Sequence, residues 1–211
     1  MIPLPARLIA LFIALLLAPA SVQAHSLESL EQDLLAREKY VQIVDMPAPA
    51  FSLTDDQGRT VRLADMRGKV VVLWFVYQRC PDVCPLHSEA IADVQAMINR
   101  TPVRDSVRFI TITTDPEHDL PETFADYGAS RGLDPANWTM LTSGPDKPAA
   151  TREIARQFGL KFTPEGDDYQ IHGVVTHLID KSGHLRARYH GLKFNPASMV
   201  EHIKAFSNDD H

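Results

Sequence analysis

Cysteine is scarce in this chain: its 211 residues include only Cys80 and Cys84, both within the segment YQRCPDVCPLH. Two cysteines with three residues between them can form a structural disulfide, a redox couple or half of a metal site. A disulfide that closes so short a loop restricts little chain entropy, because that benefit grows with loop length. Redox couples usually have two intervening residues. The spacing disfavours the structural disulfide and leaves the redox and metal alternatives open.

Clusters of basic residues are also missing, and the formal net charge is -6. Phosphate binding needs grouped Lys and Arg side chains, so this charge pattern argues against a nucleic-acid partner. The sequence contains no internal repeat and no low-complexity segment. With 45% hydrophobic and 23% charged residues, the composition is that of one ordinary globular domain with short extensions.

The N-terminal apolar run is too short for an ordinary membrane span. It covers Leu8–Ala18 and falls short of the ~20 apolar residues that a spanning helix needs. Val22 and Ala24 then occupy positions suited to signal-peptide cleavage, and no cysteine that could carry a lipid lies nearby. We expect residues 1–24 to be a signal peptide and the mature chain to begin at His25, in the periplasm and without a transmembrane domain. The alternative is an uncleaved segment that anchors the protein to the outer face of the inner membrane.

The rest of the sequence alternates between strand and helix patterns. We expect a polar leader at 25–47, a domain at 48–207 and a polar tail at 208–211. The predicted elements of the domain are, in order, a hairpin around Gly58, a strand at 70–77, a helix after the cysteines, a strand at 107–113, a helix from Pro121, a helix capped by Asp146, a hairpin at 174–190 and a helix from Pro196. This order predicts an α/β fold, a thioredoxin-like three-layer sandwich with an added N-terminal hairpin.

The two cysteines lie where a buried strand passes into a helix. The N–H groups in the first turn of a helix have no intrahelical partner and favour negative charge, which lowers the pKa of a nearby thiol. We therefore expect a pair of easily ionised sulfurs on an exposed loop at the rim of the sheet. Thiolates are soft ligands that select Cu(I) and Zn(II), and an imidazole suits a third position. Outside the cytoplasm thiols tend to oxidise, so a working pair there needs a reductant or a metal.

Four segments of the sequence resemble the SCO/SenC family. They are FSLTDDQGRTVRLADMRGK, the CPDVCP element after VVLWFVY, TTDPEHDLPETFADY and HGVVTHLIDKSGHL. The resemblance runs from about Phe51 to Phe206 and implies a thioredoxin fold. It also implies that the protein is a copper metallochaperone and not an enzyme. The metallochaperone would hold Cu(I) or Cu(II) through Cys80, Cys84 and His172. Such a protein delivers copper to cytochrome c oxidase subunit II or to another copper acceptor.

A thiol–disulfide oxidoreductase is the closest alternative, with Cys80 and Cys84 forming a reversible disulfide. It would keep the cysteines of an oxidase subunit reduced and would itself need a thiol reductant in the periplasm. Thioredoxin-type oxidoreductases usually carry a proline before the strand that faces the cysteines, whereas this chain has IHGVV there. A dithiol enzyme needs no histidine at that position, and a copper site does. A peroxiredoxin-like peroxidase is a weaker third alternative.

Three further residues are candidates for the surroundings of the site. Asp82, between the cysteines, can accept N–H groups at the helix start, and its charge would oppose thiol ionisation unless a copper cation offset it. His87, one turn after Cys84, is either a partly buried packing residue or an accessory ligand. Asp115 follows the second central strand at the same rim, although Cu(I) disfavours a carboxylate ligand.

The other histidines receive structural interpretations. His177 is expected on a strand face that packs against helices, where one hydrogen bond satisfies a neutral ring. The remaining six lie in polar stretches and are expected to be solvated: His25, His118, His184, His190, His202 and His211.

Overall fold

The structure is a computed structural model that describes residues 27–165 and 168–208, with the backbone alone described at 163–165 and 168–172. Within this part of the chain, the α-helices span Leu27–Arg37 (α1), Val83–Ile98 (α2), Phe124–Ser130 (α3), Pro148–Gln157 (α4) and Pro196–Asn208 (α5). The strands span Val41–Pro47 (β1), Ser52–Thr54 (β2), Thr60–Arg62 (β3), Val70–Val76 (β4), Val107–Thr113 (β5), Trp138–Leu141 (β6), Lys161–Glu165 (β7), Asp168–His172 (β8), Val175–Ile179 (β9) and His184–His190 (β10).

Six strands form the central sheet in the order β1-β10-β9-β4-β5-β6. β4, β5 and β6 run parallel, whereas β9 lies antiparallel to β4, and β10 and β1 continue the antiparallel half. β4 is buried along its whole length. Its apolar, β-branched run places apolar side chains on both faces of the sheet, so both faces must be covered by other elements. The strand that leads into the cysteines therefore lies in the interior of the sheet.

Successive side chains of β4 point to opposite faces of the sheet and enter two separate cores. Val72, Trp74 and Val76 belong to the core formed with α2, α3 and α5. Leu73 and Phe75 belong to the core formed with the β2–β3 hairpin and α4. Each fully buried apolar side chain of this size contributes roughly 1.5–3 kcal/mol through removal from water. The predicted three-layer sandwich is confirmed.

The predicted N-terminal hairpin is formed by β2 and β3, which pair antiparallel. Its turn is closed by the buried carboxylate of Asp55, which accepts the N–H groups of Gln57 at 3.0 Å and Arg59 at 2.9 Å. The end of the hairpin also meets the edge of the main sheet. Thr54 and Thr142 exchange two backbone hydrogen bonds of 2.9 Å each, immediately after β6. The hairpin is thus attached beside the outermost parallel strand.

Several elements escape the sequence pattern. In the expected leader, α1 precedes β1, and β1 joins the sheet as the edge strand next to β10, with a register shift between Ile43 and Met46. Edge positions tolerate Asp45 and Pro47, which otherwise disfavour strands. β6 has only four residues and the strands of the separate β7–β8 ribbon have five each, which is too short for a clear period-2 signal. The expectation that Asp146 caps the next helix is wrong, because α4 begins at Pro148 and its N-cap is Lys147.

The expectation that His202 is solvated is also wrong. Its side chain is fully buried in α5, and the Tyr189 hydroxyl lies 3.1 Å from its Nδ1. The Glu31 carboxylate of α1 lies 3.6 Å from its Nε2. The helix α1, in the segment expected to be a polar leader, supplies this cover. His25 and His211 lie outside the described residues.

None of the helices in residues 27–165 and 168–208 has the length and apolar content that crossing a membrane requires. The expected signal peptide at 1–24 falls outside the described part of the chain.

Candidate metal centre

Three segments converge at one rim of the central sheet. β4 and β5 are parallel, so the cysteine loop after β4 and the segment after β5 leave the sheet at the same rim. β9 is antiparallel to β4, with Thr176 opposite Trp74. The chain that precedes β9, which includes His172, therefore approaches this rim as well.

The two cysteines lie close together beneath the surface. Cys80 closes a turn by donating its N–H to the Tyr77 carbonyl at 3.2 Å, and Cys84 lies in the first turn of α2. The Cys84 N–H donates to the Cys80 Sγ at 3.4 Å. Each side chain is only 7% exposed, which corrects the expectation of an exposed loop. The sulfurs are shielded because both belong to the core under α2.

The two thiols differ in their readiness to ionise. Burial raises the pKa of the Cys80 thiol, but hydrogen bonds from the Cys84 side chain, the N–H groups of Asp82 and Cys84 and the Tyr77 side chain outweigh it and lower the pKa overall. Burial raises the pKa of Cys84 strongly, and the neighbouring sulfur of Cys80 and the charge of Asp119 add to this. The expected pair of easily ionised sulfurs is thus wrong for Cys84: the reduced pair favours one thiolate, at Cys80.

Asp119 is a buried carboxyl group at the same rim, with 1% of its surface exposed. Its oxygens accept the Gln78 N–H at 3.0 and 3.2 Å and the Thr113 hydroxyl at 2.5 Å. Burial raises the pKa of Asp119 to about 6, and the nearby charge of Asp115 acts in the same direction, while the two hydrogen-bond donors oppose the shift. This residue joins the ends of β4 and β5 directly beside the cysteine loop.

Asp82 and Asp115 occupy different surroundings. Asp82 is exposed at the N-cap of α2 and makes no side-chain cap hydrogen bond, so its expected role as an acceptor at the helix start is wrong. Asp115 accepts hydrogen bonds from Arg79 at 2.9 Å and from His118 at 2.8 Å. Partial burial raises the pKa of Asp115, but these two partners outweigh it and lower the pKa. Asp115 thus anchors an ion-pair cluster next to the cysteine turn.

His87 lies beneath the cysteine loop rather than at the surface. It is 2% exposed, and its Nε2 is 2.8 Å from the Thr176 hydroxyl of β9. Burial lowers its pKa to about 3, so the ring is neutral. The contact fastens α2, which carries Cys84, to the strand that follows His172.

His177 occupies the opposite face of the sheet from His87. It is fully buried, its ring packs edge-on against Phe75 and Phe158, and its Nε2 lies 3.1 Å from the Phe158 carbonyl. The expectation of a buried ring that makes one hydrogen bond is confirmed, while its Nδ1 has no hydrogen-bond partner among the described residues. Burial lowers its pKa to about 4.

Because burial lowers the pKa of His87 and His177, we expect the folded protein to lose stability in acid. Unfolding restores the ordinary pKa of both histidines, near 6.5. As pH falls below about 6.5, the unfolded chain therefore binds protons that the folded chain does not bind, and the free energy of unfolding decreases. For His177, a shift from 6.5 to about 4 corresponds to roughly 3 kcal/mol. Urea unfolding at pH 7.5 and 4.5 should therefore show roughly 2–3 kcal/mol less acid destabilisation for His177→Phe than for the wild type.

Met199→Leu supplies the matched control, since Met199 is fully buried and carries no titratable group, so this variant should retain the acid dependence of the wild type. Asp119 acts in the opposite direction between about pH 4 and 6, because its raised pKa makes the folded carboxyl hold a proton longer. That contribution is common to wild type and both variants, so it cancels in the comparison. Equal acid destabilisation of His177→Phe and wild type would contradict the assignment.

His172 ends the ribbon strand β8, opposite Lys161 of β7, and its side chain is not among those described. The sequence favours a loop for His172, since the segment GDD at 166–168 precedes it, and the strand assignment of its backbone shows that this expectation is wrong. Gly173 follows with φ of 102°, a left-handed conformation that glycine adopts without strain, and turns the chain toward β9. Among the side chains that the structure describes, no cluster of three or more His, Cys, Asp or Glu residues is arranged to hold a metal. The described part of the site therefore supplies two sulfur donors.

Comparison with known sequences decides the family. The SCO1/SenC profile matches residues 44–208, which is most of the chain. The chain belongs to the SCO1/SenC family. The SCO1 protein homolog of Bacillus subtilis is 26% identical over 164 residues, which cover 74% of this chain and 81% of that protein. Protein sco1 of Schizosaccharomyces pombe is 32% identical over 143 residues, 64% of this chain, and this chain spans about half (51%) of its length.

Solved structures agree with the SCO1/SenC assignment. Bradyrhizobium japonicum ScoI with copper bound is 28% identical and superposes with a TM-score of 0.63, covering 76% of this chain and 99% of that one. BsSco, described as a member of the Sco family of cytochrome c oxidase assembly proteins with a disulfide switch, gives a TM-score of 0.68 at 24% identity. It covers 79% of this chain and 96% of its own, and at that identity it supports the fold alone.

Asp119 is the site residue of this SCO1/SenC chain that the sequence pattern does not single out. The available signal is its position in DPEHD, four residues after Asp115 and just beyond a central strand. A carboxylate there could equally be solvated. Its burial depends on where the segment after β5 folds back over the end of β4.

Proposed function

We propose that this SCO1/SenC protein carries copper as cargo and delivers it to the copper centre of cytochrome c oxidase, with subunit II as the acceptor. The observation that carries the proposal is the pair of adjacent sulfurs at a rim where the chain bearing His172 also arrives. Cys80, Cys84 and His172 are the proposed ligands, two thiolates and an imidazole, a donor set suited to copper. The copper-bound structure of Bradyrhizobium japonicum ScoI supports the choice of metal.

The surroundings of the two sulfurs suit cargo that must be released. Cys84 holds its proton strongly in the metal-free protein, so both loading and release of a cation are coupled to proton transfer at that sulfur. Thiolate ligands of an acceptor can replace those of the carrier one at a time. The short reach between Cys80 and Cys84 allows each sulfur to leave while the other still holds the cargo.

A second function is favoured by the unequal acidity of the two thiols. The Cys80 thiolate can attack a disulfide of the acceptor, which forms a mixed disulfide and releases one acceptor thiolate. Cys84, once deprotonated, then attacks Cys80, which releases the second acceptor thiol and leaves a Cys80–Cys84 disulfide. Two electrons pass to the acceptor, and a periplasmic thiol reductant must return the pair to the dithiol. This reaction would prepare the acceptor cysteines for copper.

Both functions require export, and we propose that residues 1–24 direct the chain to the periplasm. The sequence features that support this are the short apolar run and the small residues at Val22 and Ala24. An uncleaved segment would instead hold the same domain at the outer face of the inner membrane.

Substitution of His172 separates the two functions. His172→Ala should abolish maturation of the copper centre in a strain that lacks the wild-type protein, because a ligand is lost. Thiol exchange with a model disulfide should remain within about threefold of wild type, since attack of a thiolate on a disulfide needs no imidazole. Oxidase activity in membranes and the exchange rate of the purified protein are the two measurements. Normal oxidase maturation with His172→Ala would favour the oxidoreductase.

A further inference from the structure

We propose that Asp119 is a positioning residue that holds the Cys80 turn against the end of β5 and so keeps the two sulfurs within reach of each other. Its side chain is almost fully buried. Both carboxylate oxygens lie within hydrogen-bond distance of the Gln78 N–H, two residues before Cys80. One of them also accepts the hydroxyl of Thr113, the last residue of β5. The carboxylate thus connects the turn to a rigid strand.

The same turn has a second attachment through the Gln78 side chain. Its Nε2 donates to the Thr123 hydroxyl at 2.8 Å. The backbone of the turn is closed by the Cys80 N–H bond to the Tyr77 carbonyl. Gln78 is therefore held at its backbone by Asp119 and at its side chain by Thr123. The carboxylate of Asp119 is itself almost fully buried, and losing it as an acceptor leaves the Gln78 N–H without that partner.

Positioning has a measurable consequence for the cysteine pair. The equilibrium between dithiol and disulfide depends on the effective concentration of one sulfur at the other, which rises when both are held in place. A looser turn lowers that concentration and makes the disulfide easier to reduce. Each tenfold loss raises the reduction potential by ~30 mV. The potential is measured without metal, so it is independent of copper binding, although the importance of the residue for cargo rests on the proposed function.

Two substitutions separate positioning from charge. Asp119→Ala removes the acceptor for the Gln78 N–H. Asp119→Asn removes the charge but keeps a carbonyl oxygen for that N–H, and its amide can donate to the Thr113 hydroxyl, which accepts as well as donates. Positioning therefore predicts that the Asn variant restores the behaviour that the Ala variant loses.

The mature protein is equilibrated with glutathione buffers at pH 7. In these buffers two glutathione thiols reduce the protein disulfide to the dithiol and form one glutathione disulfide, and the reaction is reversible. Alkylation followed by mass spectrometry gives the reduced fraction. Asp119→Ala should raise the potential by ~30 mV, a tenfold loss of effective concentration. Asp119→Asn should lie within about 10 mV of wild type, less than a threefold change.

Asp55→Ala is the matched control. Asp55 is also 1% exposed and also holds a turn through two N–H groups, but in the β2–β3 hairpin. This variant should lose stability and keep the wild-type potential. If Asp119→Ala does not fold, Thr113→Val removes one donor to the carboxylate and should raise the potential by ~15 mV, a threefold loss. A wild-type potential in Asp119→Ala or Thr113→Val, or an equal shift in Ala and Asn, would overturn the proposal.

Discussion

The Cys80→Ser/Cys84→Ser double variant should bind no copper under anaerobic conditions, whereas the reduced wild-type protein should bind one copper ion per chain. Thiolate sulfur is the soft ligand that selects Cu(I), and serine supplies a hard oxygen that stays protonated. Loss of a single outer-shell partner typically costs ~10–100-fold in metal affinity. Loss of two direct ligands should therefore exceed that range by far. Copper stoichiometry after gel filtration is the measurement.

Met199→Leu is a matched control for this experiment. Met199 is a fully buried sulfur-containing residue of α5 on the same side of the sheet, and its replacement removes a sulfur without touching the cysteines. It should retain one copper ion per chain. Since both cysteines are core residues, thermal unfolding of each variant must show that it is folded at the assay temperature. Equal copper binding by wild type and the double variant would contradict the thiolate site.

His172→Ala should weaken Cu(I) binding by more than ~100-fold, whereas His177→Phe should change it by less than about threefold. His177 lies in the core between Phe75 and Phe158, on the face of the sheet away from the cysteines. His172 lies on the chain that enters β9 at the rim where the cysteine loop also lies. Competition with a Cu(I) chelator of known affinity measures both variants.

The His177→Phe variant is a suitable control because it replaces a buried aromatic ring on the face of the sheet away from the cysteines. It removes the donor to the Phe158 carbonyl, which costs about 1–3 kcal/mol. It also removes the His177 Nδ1, which is buried and has no hydrogen-bond partner among the described residues. Greater loss of Cu(I) affinity in His177→Phe than in His172→Ala, at equal folded stability, would show that the ligand has been assigned to the wrong histidine.

The central architecture could be predicted from the sequence because it rests on strong local signals. β4 is a continuous apolar run that needs cover on both faces, and β5 is a mostly apolar and β-branched run that is buried apart from Arg108. The helix after the cysteines follows β4 directly. The late hairpin, β9 and β10, has Gly183 in its turn with φ of 79°. These elements place Cys80 and Cys84 at the rim before any coordinate is known.

The remaining features depend on contacts that are distant in sequence. The pKa of Cys84 rises because the core under α2 buries it, and the charge of Asp119 adds to the rise; the argument from the helix start contains neither effect. Asp119 is buried only because its segment folds back over Gln78. His202 is covered by a helix in what the sequence presents as a polar leader. β1 contains Asp45 and becomes a strand because β10 offers it an edge.

The two outer strands of the central sheet bear on self-association. An unpaired sheet edge is a template onto which another chain can add a strand, the first step toward aggregation. At one edge, β6 has only four residues, and Thr142 directly after it already pairs with Thr54 of the hairpin. At the other, β1 changes register between Ile43 and Met46 and ends at Pro47, which has no N–H to donate. Neither edge offers a long, regular row of free backbone groups, so copies of the folded chain should resist strand-by-strand polymerisation even at high concentration.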